Sequence, residues 1–126
     1  MNTLRARSRR RQSYRRGHWA EYLAAGFLFL KGYRIVKRRY KTAQGEIDLI
    51  ARKGRILVAV EVKNRSSLAA ALESITPRNR QRVGAAARDY LAGQPAGFSQ
   101  DVRFDVIAVG WPFGVRHLDN AWRAGS

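Results

Sequence analysis

Acids are scarce in this 126-residue chain, nine against 25 lysines and arginines, so their positions carry information. Three of the nine, Glu46, Asp48 and Glu61, lie between residues 46 and 61, with Lys63 just beyond. Side chains alternate along a strand with period two. Glu46, Asp48 and Ile50 therefore share one face of a strand over 45–51. Leu57, Ala59, Glu61 and Lys63 share one face of a strand over 55–63. Read as a two-residue turn, Lys53-Gly54 pairs Arg52 with Arg55, sets Asp48 opposite Ala59, and sets Glu46 opposite Glu61. Opposed side chains have Cβ atoms about 4.5–5.5 Å apart, and like charges there are destabilising. Three carboxylates and one ammonium thus converge on one patch.

A bound divalent cation is the simplest remedy for that repulsion. Oxygen-only ligands favour Mg²⁺ or Mn²⁺ over zinc, and Mg²⁺ takes one or two protein carboxylates and leaves room for waters and a substrate phosphate. Hydrolysing a phosphodiester needs the phosphate charge neutralised and a hydroxide generated near neutral pH. A metal held by Asp48 and Glu61 can do both. Lys63 would orient the attacking water or stabilise the developing charge, and Glu46 would be a further ligand, directly or through water. The competing reading is plain ion pairing between these acids and nearby cations on a solvated sheet face.

Other elements must position these residues. Residues 19–31 read as a helix, with Trp19, Tyr22, Leu23, Gly26, Phe27 and Leu30 on one face. Leu28 and Phe29 widen that face, which predicts a well-buried helix. Glu21, the helix's only acid, lies opposite the apolar stripe. Three strands follow, over 33–40, 45–51 and 55–63. Ser66-Ser67 suggests a loop, and 68–71 is ambiguous. Thr76-Pro77 starts a second helix that runs to about Ala92 and ends near Gly93. A fourth strand covers 102–109, and a short last one 115–118. The order α-β-β-β-α-β implies an α/β fold, a mixed sheet with helices packed on it.

Composition narrows the classes further. The net charge of +16 suggests a polyanionic partner, with nucleic acid the default and an anionic membrane second. The chain has no cysteine, which excludes disulfide scaffolds, zinc-thiolate sites and thiol catalysis. No apolar run approaches the roughly 20 residues of a membrane span, and no secretory signal is visible, so the expected location is cytoplasmic. Residues 1–16 hold seven arginines and no acid, which predicts a disordered basic tail before a domain over 17–126. Arg15, Arg16, Arg38, Arg39, Lys41, Arg65, Arg78, Arg80 and Arg82 are candidate phosphate contacts. His18 and His117 read as surface or hydrogen-bonding residues. Asp105 reads as the partner of an arginine, and 111–114, Trp-Pro-Phe-Gly, as an aromatic loop able to stack on bases.

Three strings, Gly45-Glu46-Ile47-Asp48-Leu49-Ile50-Ala51, Val60-Glu61-Val62-Lys63 and Val102-Arg103-Phe104-Asp105-Val106-Ile107, together with Lys31-Gly32-Tyr33, resemble the YraN-like family of small bacterial proteins. The resemblance covers about residues 15–122. It implies a restriction-endonuclease-like core within the PD-(D/E)xK nuclease superfamily, similar to archaeal Holliday-junction resolvases. It implies that Asp48 takes the place of the strand aspartate, and that Glu61 and Lys63 take the place of the (D/E)xK pair. Glu21 sits where resolvase-like members carry a metal-holding helix glutamate. Ile47 stands where many members have proline. The expectation is a Mg²⁺- or Mn²⁺-dependent endonuclease acting on DNA, branched DNA by analogy. A non-catalytic DNA- or RNA-binding module with the same fold is the rival, and an adaptor for an acidic protein is a third reading. A resolvase-like activity would favour a homodimer.

Overall fold

The computed structural model describes residues 19–95, 102–110 and 114–123. The basic tail with Arg15 and Arg16, His18 and the aromatic residues Trp111 to Phe113 lie outside these. Helix α1 (19–30) precedes β1 (Arg34–Lys41), β2 (Glu46–Lys53) and β3 (Ile56–Lys63). Helices α2 (Leu68–Glu73) and α3 (Pro77–Ala92) then cross to β4 (Val102–Gly110), and β5 (Gly114–Trp122) closes the order. The segment left ambiguous in sequence is α2, capped by Ser67, whose Oγ accepts from the Ala70 N–H at 3.1 Å. The last strand is longer than expected, nine residues.

The five strands form one mixed sheet in sequence order. Neighbours run antiparallel except β3 and β4, which are parallel. A parallel pair needs a long crossover, and α2 and α3 supply it. Strands β3 and β4 are central and covered on both sides. They read as almost continuous apolar runs for that reason. On one face Leu49, Ala51, Val58, Val60, Ile107 and Val109 pack on α1. On the other, Ile50, Leu57, Ala59 and Val106 pack on Val83, Ala86 and Ala87 of α3.

Helix α3 begins as its sequence predicts. The Thr76 hydroxyl accepts from the Asn79 N–H at 3.1 Å, and Asn79 Oδ1 accepts the Thr76 N–H at 3.2 Å. This is a capping box with asparagine in the third position. Gly45 lets the β1–β2 turn lie directly on this helix. A Cβ there would stand 1.9 Å from the Arg82 carbonyl oxygen.

The sequence-based picture of α1 is reversed. Ala20, Glu21, Ala24 and Leu28 face the sheet, while Trp19, Tyr22, Leu23, Phe29 and Leu30 are exposed. Small side chains let the helix backbone approach the sheet closely, and the bulky stripe is left outside. Glu21 is buried as a result.

Asp105 is fully buried and ties together β4, β5 and the end of α1. Its two oxygens accept from Arg103 Nε at 2.9 Å and Nη2 at 2.8 Å. The Asn120 N–H, on a residue with φ 51°, donates at 3.0 Å. His117 Nε2 lies 2.7 Å from Asp105 Oδ2, and Lys31 Nζ lies 2.7 Å from His117 Nδ1. The ammonium can only donate, so His117 is protonated on Nε2 and donates to Asp105. Burial works to raise the Asp105 pKa, but the bonds from His117, Arg103 and Asn120 overcome it and hold it below the ordinary value. The expected arginine partner is Arg103.

Two outcomes test this account. Gly45→Ala should cost about 1–3 kcal/mol through overpacking. Asp105→Ala, which strands a guanidinium, should cost about 3–5 kcal/mol. Both are read as losses of unfolding free energy in denaturant titrations.

Candidate functional site

The β2–β3 register differs by one step on each strand from the expected one. Lys53 pairs with Ile56, so the turn is Gly54-Arg55 rather than Lys53-Gly54, and Ile50 pairs with Ala59. Carried outward from the pair Leu49–Val60, the same count sets Asp48, not Glu46, across from Glu61. There the ladder gives way to a side chain, since Asp48 Oδ2 accepts the Val62 N–H at 2.9 Å.

The alternation of β2 also breaks at Asp48. Ile47 and Ile50, three residues apart, pack in the same layer, so Asp48 does not simply share the face of Ile50 as expected. The break is mirrored on β1. Arg38 pairs with Leu49 and Tyr40 with Ile47, which puts Arg39 across from Asp48. Arg39 has φ 55°, a left-handed conformation that a non-glycine residue adopts at a cost. Its Nε donates to Glu21 Oε2 at 2.7 Å.

These two matched irregularities open a cleft of about 240 Å³, lined by Glu21, Arg39, Lys41, Glu46, Ile47 and Asp48. Helix α1 brings Glu21 into it from the face it turns to the sheet. Glu61 and Glu21 are each only 7% exposed. Burial, first of all, pushes the Asp48 carboxyl up to about 6. The Val62 N–H and Lys63 oppose the rise, while Glu21 and Glu46 add to it. Glu61 is raised well above the usual range, by burial and then by the neighbouring Asp48 charge, with Lys63 opposing. Asp48 is thus within electrostatic reach of Glu21 and Glu46, Glu61 within reach of Asp48 and Glu46, and Lys63 is the cation near both buried acids. Among the described residues no three carboxylates or histidines are closed around a metal position.

The candidate phosphate contacts fall into two sets. Arg39 and Lys41 line the cleft. The Arg82 backbone touches Gly45, next to Glu46, and the Arg65 backbone would meet a Cβ at Gly110, at the same end of the sheet as Lys63. The others are engaged elsewhere or stand apart. Arg38 lies over the Tyr22 ring at 4.4 Å and Arg80 over Trp122 at 5.3 Å. Arg78 is exposed at the start of α3. Sequence reasoning missed the special role of Arg39, because arginine gives no signal for a left-handed backbone.

The acids determine the sign of a pH effect. A carboxyl whose folded pKa is raised stabilises the fold below its unfolded pKa, and that contribution is lost as pH rises through the folded value. In metal-free buffer, Asp48 should therefore lower stability progressively as pH rises from about 4 through about 6, and Glu61 should add to the loss as pH rises through its own raised value. Glu61→Gln should flatten this dependence, and at pH 7.5 it should be neutral or stabilising, by on the order of 1 kcal/mol. Thermal melts across the pH range check both.

Comparison with known proteins agrees with the three sequence strings. Residues 20–109 match the model of the "Uncharacterised protein family UPF0102". A UPF0102 protein of Mesorhizobium japonicum is 48% identical over 116 residues, 90% of each chain. One from a Chelativorans species is 44% identical over 122 residues, 94% of this chain and 96% of its own. One from Brucella canis is 46% identical over 122 residues, 94% of each. With the family's match spanning α1 through β4 and so every acid of the cleft, the chain belongs to the UPF0102, or YraN-like, family.

Proposed function

We propose that the protein is a metal-dependent endonuclease acting on DNA in the cytoplasm, with a restriction-endonuclease-like core and its active centre in the acidic cleft. The observation that carries this reading is the pair Asp48 and Glu61. They are buried next to each other where β2 and β3 part, although burial and mutual repulsion both oppose their charge. A binding module has no use for an acidic pocket in a surface this basic.

The donor set fits a hard divalent ion. It is made of carboxylate oxygens, and Asp48, which lines the cleft, has one of its two oxygens fixed by the Val62 N–H. Asp48 and Glu61 would hold Mg²⁺ or Mn²⁺, with Glu46 and Glu21 as further contributors. The ion supplies neutralisation of the phosphate charge and activation of water. Lys63 stands beside both carboxylates and would hold the attacking water or the charge developing on phosphorus. Arg39 and Lys41, at the rim, would meet the flanking phosphates. Branched DNA rests on the likeness to resolvases alone.

A second reading has a specific observation in its favour. Arg39 already neutralises Glu21, and no ready-made ligand trio exists among the described residues. Both observations fit a non-catalytic nucleic-acid-binding module that keeps the nuclease fold and its acids without using them.

Cleavage assays over single-stranded, duplex and branched DNA and RNA, with Mg²⁺ or Mn²⁺, separate the two. Glu61→Gln and Lys63→Ala should each abolish cleavage. Melting gives an independent readout. The ion should stabilise the wild type by about 2.7 kcal/mol at a hundredfold excess over Kd, Glu61→Gln should lose most of that, and Lys63→Ala should keep it. No cleavage and no metal-dependent shift, with salt-sensitive binding retained, would favour the binding module.

A further inference from the structure

We infer that the outer face of α1 is a self-association surface, on which a second copy of this chain packs antiparallel about a two-fold axis passing near Gly26. The surface is the apolar stripe that the sheet leaves outside. Phe29 is 71% exposed and Leu30 84%, with Trp19 and Tyr22 more than half exposed and Leu23 beside them. At 100° per residue these five and Gly26 fall within an arc of about 120°. A monomer gains nothing from presenting them to water.

Three further features point to a second copy as the occupant. The first is the pattern about Gly26. Tyr22 and Leu23 stand four and three residues before it, and Phe29 and Leu30 three and four residues after it. Turning the helix end over end about Gly26 therefore places an aromatic–leucine pair on an aromatic–leucine pair, the self-complementarity that a two-fold contact requires. The second is Gly26 itself. A mid-helix glycine costs about 1 kcal/mol relative to alanine. Among the described residues nothing lies within 4 Å of where its Cβ would be, so their packing does not call for it. A helix crossing at this point does, because a missing side chain brings the two backbones close. The third is area. At about 150–250 Å² for a whole aromatic side chain, the five side chains expose roughly 600 Å². Two copies would cover about 1,200 Å², the lower end of stable interfaces.

Charge favours an apolar partner here. The chain carries 25 lysines and arginines, yet none of the stripe's own residues is one, and the Arg38 guanidinium that lies over it is stacked on the Tyr22 ring at 4.4 Å. Nucleic acid would gain no phosphate contact from the stripe's own side chains. The net charge of +16 opposes pairing at long range, so association should strengthen as salt screens the repulsion. That is the reverse of the salt dependence of phosphate binding. The inference does not rest on the nuclease reading. If both hold, the inward face of the same helix carries Glu21 into the cleft, so the pairing places two clefts on opposite sides of one axis.

Sedimentation equilibrium of the full chain tests this. The mass should rise from 14.3 kDa towards twice that value with concentration, over about 1–200 µM, and more readily in 0.5 M than in 0.1 M salt. Phe29→Asp and Leu30→Asp, both on exposed positions, should keep the wild-type melt at concentrations where the wild type is monomeric and weaken association at least tenfold. Orientation is read by oxidation of single-cysteine chains, since the native chain has no cysteine. A mixture of Leu23→Cys and Phe29→Cys chains should cross-link to each other in preference to themselves. A wild type that stays monomeric at 200 µM in 0.5 M salt would overturn the inference. So would a dimer that Phe29→Asp and Leu30→Asp leave intact, or preferential cross-linking of like chains. A monomer that sediments with phosphatidylglycerol vesicles, and loses this with Phe29→Asp, would assign the face to a lipid surface instead.

Discussion

Carboxylates buried side by side lose their hydration and repel each other, and Asp48 and Glu61 carry both costs. The local backbone is arranged around that pair. Strand β2 abandons its alternation at Asp48, β1 takes a left-handed residue directly across from it, and the ladder between β2 and β3 yields a backbone N–H to the Asp48 side chain. A regular sheet would bring Asp48 and Glu61 face to face with nothing between them. The break opens a cleft that Asp48 lines while Glu61 stays buried behind it, with Lys63 near enough to oppose the rise in both pKa values.

The second buried acid shows what a structural carboxylate looks like in the same protein. Asp105 is more deeply enclosed than Asp48, yet its pKa falls, because Arg103, His117 and the Asn120 N–H all donate to it. Four donors leave it no capacity for a ligand. Against burial Asp48 has the Val62 N–H and Lys63, and Glu61 has Lys63, and these do not overcome it. The contrast separates a staple from a site by chemistry, since both kinds of acid lie in apolar strands. It also gives the two groups opposite pH linkage: Asp105 contributes stability that is lost on acidification, and the cleft acids impose a cost that acidification relieves.

Helix α1 joins these local arrangements to the whole molecule. Its small residues seat it on the sheet, its one acid reaches the cleft, and Arg39 meets that acid from β1. Its large residues contribute nothing to the monomer core. A helix apolar on nearly every side has two faces to bury, and one sheet can take only one of them.

The sequence by itself determined every element type except α2, most of the boundaries, the N-cap of α3 and the family. It also singled out Glu46, Asp48, Glu61 and Lys63, because acids in so basic a chain stand out and strand periodicity groups them. Only the tertiary structure decided the rest. The turn at Gly54-Arg55 shifts the register by one residue on each strand, and the competing Lys53-Gly54 turn is equally plausible from residue types. Periodicity shows that α1 has an apolar stripe but not which face the sheet accepts. Close approach of backbone to sheet selected the alanine face, and that choice buried Glu21. Other partners come from distant parts of the chain: Glu21 meets the left-handed Arg39, and His117 and the Asn120 N–H reach Asp105 from β5. Contacts of that range are set when the layers pack, and local sequence carries no record of them.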